Sequence, residues 1–539
     1  MVADFKEQMF LIGCGATAGP VAATPETMGF KAYNLWRMQR VGMPVPQAFV
    51  LGTGFCQEYF RHNRKPVRGL QEVLSSHLRE LERASGLGFG SARKPLLVSV
   101  RSGAPVSMPG MLETVLDIGL CDATVPGLLR LTGNPRLVWD SYRRLVASFA
   151  EVVHGLPATS FENALHARMQ EAGLTEPGEL DFQSLRAVTR DYLELYEEEV
   201  GKPFPQQPRE QLEAAVIAVW ESWTGDKAVQ YRRLNGLSDE PGTAVTVQRM
   251  VYGNAGGTSG AGVAFSRDPA SGEASLYLDF LFNAQGDDIV SGRRSAADGE
   301  RLGEVLPSVL QDIRRTARLL EEEFRDMQEF EFTLQDGMLY ILQTRTGKRT
   351  PWAALRIAVD QVEEGLIDEE TALERLSSHD LAKIGRSRVV AAGSHTPCHG
   401  VAAGIGVAVG EIALDSVRVQ QVARAGGAAI LVRESVSTED VSAIEAAAGV
   451  LTASGSRTAH AAVVARQMNK PCVVGCAALT VDLSRRRCSL SGQWLAEGEV
   501  LSLDGQSGEV FVGPVTVEIE KPSEYLARVA RWRASRAAA

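Results

Sequence analysis

Gly455-Ser456-Arg457-Thr458-Ala459-His460-Ala461-Ala462-Val463-Val464-Ala465-Arg466 follows a short apolar run, Gly449-Val450-Leu451-Thr452. The run reads as a buried strand and the glycine–serine segment after it as a turn. From Ala461 onward the residues are good helix formers, Val463 and Val464 need burial, and Ser456 or Thr458 can cap the start. The spacing therefore predicts strand, turn and helix, with His460 in the first helical turn, where unpaired N–H groups and the helix dipole favour negative charge. Two readings of His460 stay open here. A capping or packing histidine needs nothing else in the chain. A carrier with a phosphoryl group on an imidazole nitrogen needs a phosphate donor site elsewhere.

The rest of the composition narrows the field. A chain of 539 residues, 45% hydrophobic and 23% charged, is ordinary for globular protein and long enough for roughly three to four domains. A net charge of −10 argues against a general nucleic-acid binder. Seven cysteines, an odd count without framework spacing, fit a reducing compartment. Cys472 and Cys476 lack the second Cys/His pair of a zinc site, and His395, Cys398 and His399 lack a fourth ligand. No basic segment precedes an apolar stretch at the N-terminus, and no run approaches the ~18 apolar residues of a membrane span. A cytoplasmic protein without membrane or nucleic-acid partners is expected.

Upstream, several stretches suit phosphate. Lys31 follows Gly29-Phe30 at the start of a helical pattern. An apolar strand, Leu96 to Val100, delivers Arg101 into a small-residue loop, and guanidinium is the side chain best shaped for bidentate phosphate contact. Residues 135–230 read as mostly helical, with Leu185, Val188, Tyr192 and Leu195, and then Leu212, Val216, Val219 and Trp223, at helical spacing. From Ala244 the pattern turns to strands. Val245 to Tyr252, which includes Gln248, leads into Gly253–Gly262, a run of small residues whose backbone N–H groups could approach a polyphosphate.

The segment Glu329–Arg345 reads as a hairpin. A three-residue loop, Gln335-Asp336-Gly337, pairs Leu334 with Met338 and puts Phe330, Phe332, Leu334, Met338, Tyr340 and Leu342 on one face. A two-residue Asp336-Gly337 turn splits the two apolar sets between opposite faces, so the burial pattern favours the longer loop. Glu331, Ile341, Gln343 and Arg345 then share the other face, a plausible floor for Mg²⁺ and nucleotide. An ordinary cross-strand Glu–Arg pair is the plainer alternative.

Taken together, these motifs resemble the pyruvate, phosphate dikinase family of PEP-utilising enzymes. The resemblance is carried by Leu97 to Ala104 with Ser107-Met108-Pro109-Gly110-Met111, by Thr258 to Phe265, by Asn283-Ala284-Gln285-Gly286, and by Glu331-Phe332-Thr333 with Gln343-Thr344-Arg345. Thr458 to Arg466 is similar to the family's phosphohistidine motif, and Leu501 to Gly505 to the end of the same domain. The order is the family's own from about residue 26 to 515.

What the resemblance implies is an α/β multidomain chain: a two-lobed ATP-grasp nucleotide domain followed by a phosphohistidine swivelling domain. The expected boundaries are 1–240 for the first lobe with its helical insert, 241–350 for the second lobe, 351–387 for a helical linker and hinge, 388–514 for the swivelling domain, and 515–539 for a helical tail. It implies ATP and Mg²⁺ as cofactors, with the β-phosphate passing to His460 and AMP released. Lys31, Arg101 and Arg345 would hold phosphates, with Arg143, Gln248, Thr258, Ser259 and Gly260 in the nucleotide site. Glu331, Gln343 and Asp288 would serve the metal; Asp287 stands where the family has a longer acid. The Ser-Gly-Ala and Ser-Met-Pro-Gly-Met spelling favours phosphate over water as co-substrate.

The family continues beyond about Pro514 into a (β/α) barrel that binds pyruvate or phosphoenolpyruvate, whereas these residues end at Ala539. The expectation is therefore a small-molecule acceptor, an aryl hydroxyl being one candidate, bound by a separate subunit. A self-contained kinase and a non-catalytic nucleotide-binding module are the alternatives. The last segment reads as a basic amphipathic helix with Tyr525, Val529 and Trp532 on one stripe, docked on its own chain or on a partner.

Overall fold

Five short segments rich in apolar residues build the first sheet, antiparallel throughout, in the order Met9–Ile12, Ala48–Leu51, Ala244–Arg249, Val98–Gly103, Thr114–Ile118. The computed structural model describes residues 7–15, 22–65, 67–106, 108, 111–174, 177–286, 299–391, 398–436, 440–455 and 460–538. The chain divides into two units, Met1–Gly256 with Tyr340–Gln343, and Gly257–Leu339 with Thr344–Ala539. Ala244–Arg249 is the central strand of the first sheet, so the lobe boundary expected at 240/241 falls one strand later. The reason is register: Val98–Gly103 pairs with this strand over six residues, and a strand flanked on both sides cannot leave the sheet.

The helical insert forms as its periodicity predicts, including Pro135–His154, Phe182–Val200 and Pro208–Ser222. Asn134 starts the first of these by accepting the Leu137 N–H, with Pro135 at the position where a missing donor is harmless. Leu185, Val188, Tyr192, Leu212, Val216, Val219 and Trp223 are all buried. Most of them join one core with Val98, Val100 and Val115 of the sheet.

The second sheet runs Met338–Thr346, Gln328–Gln335, Gly260–Phe265, Tyr277–Phe282. Phe330, Phe332 and Leu334 are buried as expected, each side chain contributing roughly 2–3 kcal/mol. The return strand differs from the expectation. Met338 is 63% exposed while Leu339 and Ile341 are buried. Only Asp336 and Gly337 separate the strands, both with positive φ (52° and 77°), which is the two-residue turn. The missing term was a long-range partner. Ile341 donates its N–H to the carbonyl of Pro44, which ties the edge of this strand to a segment far away in sequence.

The helices Pro351–Glu363 and Glu369–Leu376, expected as a linker and hinge, are anchored to the second sheet. Ala353 and Ile357 share a core with Ala261, Val263 and Phe265. Arg267, buried at the end of Gly260–Phe265, binds Glu321 (2.8 Å) and Glu364 (2.5 Å) together. The tail helix Ser523–Ala538 docks on these same helices through Val529, with Tyr525 and Trp532 beside it. Its stripe is therefore satisfied within the chain.

The region from Cys398 to Val512 holds an eight-stranded sheet. Four neighbouring strands, Val407–Ala413, Ala429–Arg433, Gly449–Thr452 and Cys472–Val474, are parallel. Parallel neighbours need crossovers, and the helix His460–Gln467 is the crossover between the last two. Ala461, Ala462, Val464 and Ala465 bury its inner face against Val450, Cys472 and Val474. Arg386–Ala391 and Thr516–Glu520, which flank this region in sequence, pair antiparallel with each other. Among the described residues no helix is long and apolar enough to cross a membrane.

Candidate active site

In the first unit the site starts from a backbone crossing. Gly29 ends the short helix Pro25–Met28 and begins Phe30–Arg40, with φ 75° and ψ 149°. The Phe30 N–H donates to the Ala104 carbonyl at 2.8 Å. Lys31 is the next residue of that helix, and Arg101 lies three residues before Ala104 on Val98–Gly103. Lys31 and Arg101, far apart in sequence, are thus placed on two segments joined at their ends.

Arg101 is half-buried, and its Nη1 donates to Gln248 Oε1 (3.3 Å) and the Leu342 carbonyl (3.5 Å). Both acceptors are neutral, and among the described residues no carboxylate pairs with it. A guanidinium desolvated on one side and held by neutral oxygens keeps its charge for an anion. Gln248 is buried, orients Arg101, and donates in turn to the Pro46 carbonyl (3.4 Å). Gln343 adjoins Leu342 on the same strand.

Arg143 is packed into the helical insert. It is buried, ion-paired to Asp140 at 2.5 Å, and beside Tyr192 of the next insert helix. Burial alone would raise Asp140, but Arg143, Arg144 and Arg136 outweigh it and hold that carboxyl below the usual range. Of the two adjacent arginines it is Arg144, with a third of its side chain exposed, that reaches toward solvent from the same carboxylate (2.9 Å). Neighbouring arginines on a helix point about 100° apart, and only packing decides which is buried.

In the second unit, Glu331 stands on Gln328–Gln335 opposite Val263, half-buried. Glu329, two residues earlier on the same face, ion-pairs with Arg345. Burial works against the Arg345 charge, but Glu329 and Glu331 more than compensate and raise its pKa. Beneath the pair, the Thr344 hydroxyl donates to buried Gln328 Oε1 at 3.0 Å, which locks the strand positions. Glu329 was missed in sequence; its signal was the alternation Glu-x-Glu. Two carboxylates are too few for a closed metal cage, and among the described residues no cluster of three metal-binding side chains occurs. Two oxygen donors that leave the remaining positions to phosphate and water do suit Mg²⁺. Asp287 and Asp288 lie outside the described residues.

The glycine-rich segment splits by role. Thr258 is exposed, its carbonyl accepting the Gly337 N–H at 3.0 Å. Ser259 is fully buried; its hydroxyl accepts the Asp336 N–H (3.0 Å) and its carbonyl the Asn283 N–H (2.9 Å). It clasps the hairpin tip. A Cβ on Gly260 would lie 2.1 Å from the Phe280 ring, so this glycine admits an aromatic side chain. Of the three, Thr258 alone faces solvent.

His460 is the first residue of its helix, at the carboxyl end of the strand Gly449–Thr452. Its side chain and the expected caps Ser456 and Thr458 lie outside the described residues. The first N–H groups of a helix have no partner within it, so negative charge is favoured at this position.

Comparison with known proteins bears on both units. The model of the pyruvate phosphate dikinase AMP/ATP-binding domain matches residues 68–301, and that of the PEP-utilising enzyme mobile domain matches 426–508, which includes His460. The chain is 39% identical over 522 residues to pyruvate, phosphate dikinase of Clostridium symbiosum, covering 95% of this chain and 59% of that one. It is 40% identical over 515 residues to the chloroplastic enzyme of Flaveria pringlei (95% and 54%) and 38% over 542 to that of Rhizobium meliloti (97% and 60%). The chain thus spans a little over half the length of the curated relatives it matches.

Proposed function

The chain belongs to the pyruvate, phosphate dikinase family of PEP-utilising enzymes, and from that premise we propose that it is an ATP-dependent phosphotransferase that phosphorylates its own His460. The observation that carries this is the position of His460 as the first residue of the helix His460–Gln467, inside the match to the mobile domain. The imidazole nitrogen attacks the β-phosphorus and AMP leaves; the γ-phosphoryl group passes to inorganic phosphate or water, giving pyrophosphate or phosphate, and the β-phosphoryl group stays on His460. Lys31, Arg101 and Arg345 neutralise phosphate charge, and Arg144 joins Arg143 as a support. Glu331, with Glu329 and Gln343, holds Mg²⁺, whose contribution when bound is to neutralise the phosphate oxygens. Phosphoryl transfer asks mainly for such positioning and charge neutralisation. A histidine carrier lets two separated sites share one group.

The relatives' names make pyruvate and phosphate the first acceptors to test. The alternative is an acceptor such as a phenol, presented by a separate subunit. Incubation with Mg²⁺ and ATP labelled at the β- or γ-phosphate tests the first step. Label from the β position that survives base and is lost in acid is expected, and His460→Ala should remove it. No label under any condition would sink the proposal. Release of label on adding pyruvate, or only on adding a phenol with a second protein fraction, separates the acceptors. Dependence on added phosphate separates phosphate from water as the other co-substrate.

A further inference from the structure

We propose that Gly29 is a positioning residue for nucleotide phosphate: its bare backbone sets the distance between Lys31 and the strand that carries Arg101. The inference rests on the function proposed above and deepens it. Gly29 closes one helix by donating to the Pro25 carbonyl (2.9 Å) and opens the next by accepting from the Tyr33 N–H (3.0 Å). Its φ of 75° with ψ of 149° lies in a region that essentially only glycine occupies. Sterics close the position a second time. A Cβ on Gly29 would lie 2.0 Å from the Gly103 carbonyl oxygen and 2.5 Å from its carbon, both backbone atoms that cannot rotate aside.

The constraint is one-sided. A Cβ on Gly103 would meet nothing nearer than the Met28 carbonyl oxygen at 3.5 Å, an ordinary contact. The demand for close approach therefore belongs to the start of the Lys31 helix. Any side chain at Gly29 pushes that start off the strand end, breaks the Phe30–Ala104 hydrogen bond, and carries Lys31 away from Arg101. Because phosphate binding depends on both cations meeting one anion, a shift on the order of 1 Å is enough to lose it.

Gly42, just past the other end of the same helix, supplies the control. It too has positive φ (80°), but a Cβ there meets nothing within 4 Å. Gly42→Ala thus imposes left-handed strain on the same element without touching the crossing.

The test measures Mg–ATP affinity, autophosphorylation and melting temperature in the full chain. Gly29→Ala is expected to weaken ATP binding by about tenfold or more, the scale of strain at such a backbone position. Gly42→Ala should stay within about twofold of wild type in affinity while losing some stability. In a Lys31→Ala background, Gly29→Ala should cost no further affinity, because the residue it positions is gone. A second route covers failure of Gly29→Ala to fold. Phe30 is the first helical residue, where proline is well tolerated, so Phe30→Pro removes the N–H bonded to Ala104 and sets the ring Cδ against that carbonyl, opening the crossing from the other side. It should bind ATP several-fold more weakly than Phe30→Ala at similar melting temperature. Equal affinities in those two variants, wild-type affinity in a folded Gly29→Ala, or an unchanged penalty in the Lys31→Ala background would each overturn the positioning role. Wild-type chain that binds no ATP would instead overturn the function on which it rests.

Discussion

Asp117 shows how a single residue can tie the first unit to pH. It is the last residue but one of the strand Thr114–Ile118, with φ 59°, buried, its carboxylate accepting the Tyr252 hydroxyl at 2.9 Å. Burial pushes its pKa up to about 7, against the opposing pull of Tyr252 and Arg144. An unfolded aspartate loses its proton near pH 4, so between about pH 4 and 7 the folded state holds more protons than the unfolded one. Stability therefore falls across that window as pH rises, by up to about 4 kcal/mol. Asp117→Asn keeps an acceptor for Tyr252, and asparagine tolerates the left-handed backbone. The variant should melt higher than wild type at pH 8, with the gap closing toward pH 5. A gap that does not change with pH would assign the effect to packing.

At the scale of elements, Arg267 joins a strand to two helices through Glu321 and Glu364, and Ser266 adds its hydroxyl to Glu321. Its charge is held above the ordinary value because the two carboxylates outweigh the cost of burial. Removing it leaves Glu321 nearly buried without a counter-charge. Arg267→Ala should lower unfolding free energy by about 3 kcal/mol, measured by urea denaturation of the second unit's transition. Glu364 is nearly half exposed, so Glu364→Gln should cost well under about 1 kcal/mol. Equal losses in the two variants would mean that the helix Pro351–Glu363 is held chiefly through Glu364. The hairpin is the other instructive element. A short turn was geometrically open from Asp336-Gly337, but choosing it required knowing that the return strand would bond to the segment at Pro44 and bury Leu339 and Ile341 in place of Met338.

For the whole molecule, ligand linkage gives the broadest check. A nucleotide that binds only the folded chain at a hundred times its Kd adds about 2.7 kcal/mol. ATP with Mg²⁺ should raise the melting temperature by several degrees, and chelation with EDTA should remove most of the gain. Glu331→Gln should blunt the response to Mg²⁺ more than that to ATP alone. An equal shift with and without the metal would contradict the role given to Glu331.

Local sequence was enough for the strand-to-helix step at His460 and the helical insert, because each rests on spacing within one short segment; the family rested on several such segments in order. The same local spacing singled out Lys31, Arg101, Glu331 and Arg345 as candidates. Tertiary structure decided what spacing cannot hold. It buried Arg143 and left Arg144 at the surface, gave Ser259 to the hairpin tip, added Glu329 beside Arg345, drew Ala244–Arg249 into the first sheet, and fastened the presumed hinge helices to the second. In every such case the deciding partner is distant in sequence or a neighbour whose direction only packing sets. Burial and hydrogen bonding are properties of assembled surfaces, and no single segment contains them.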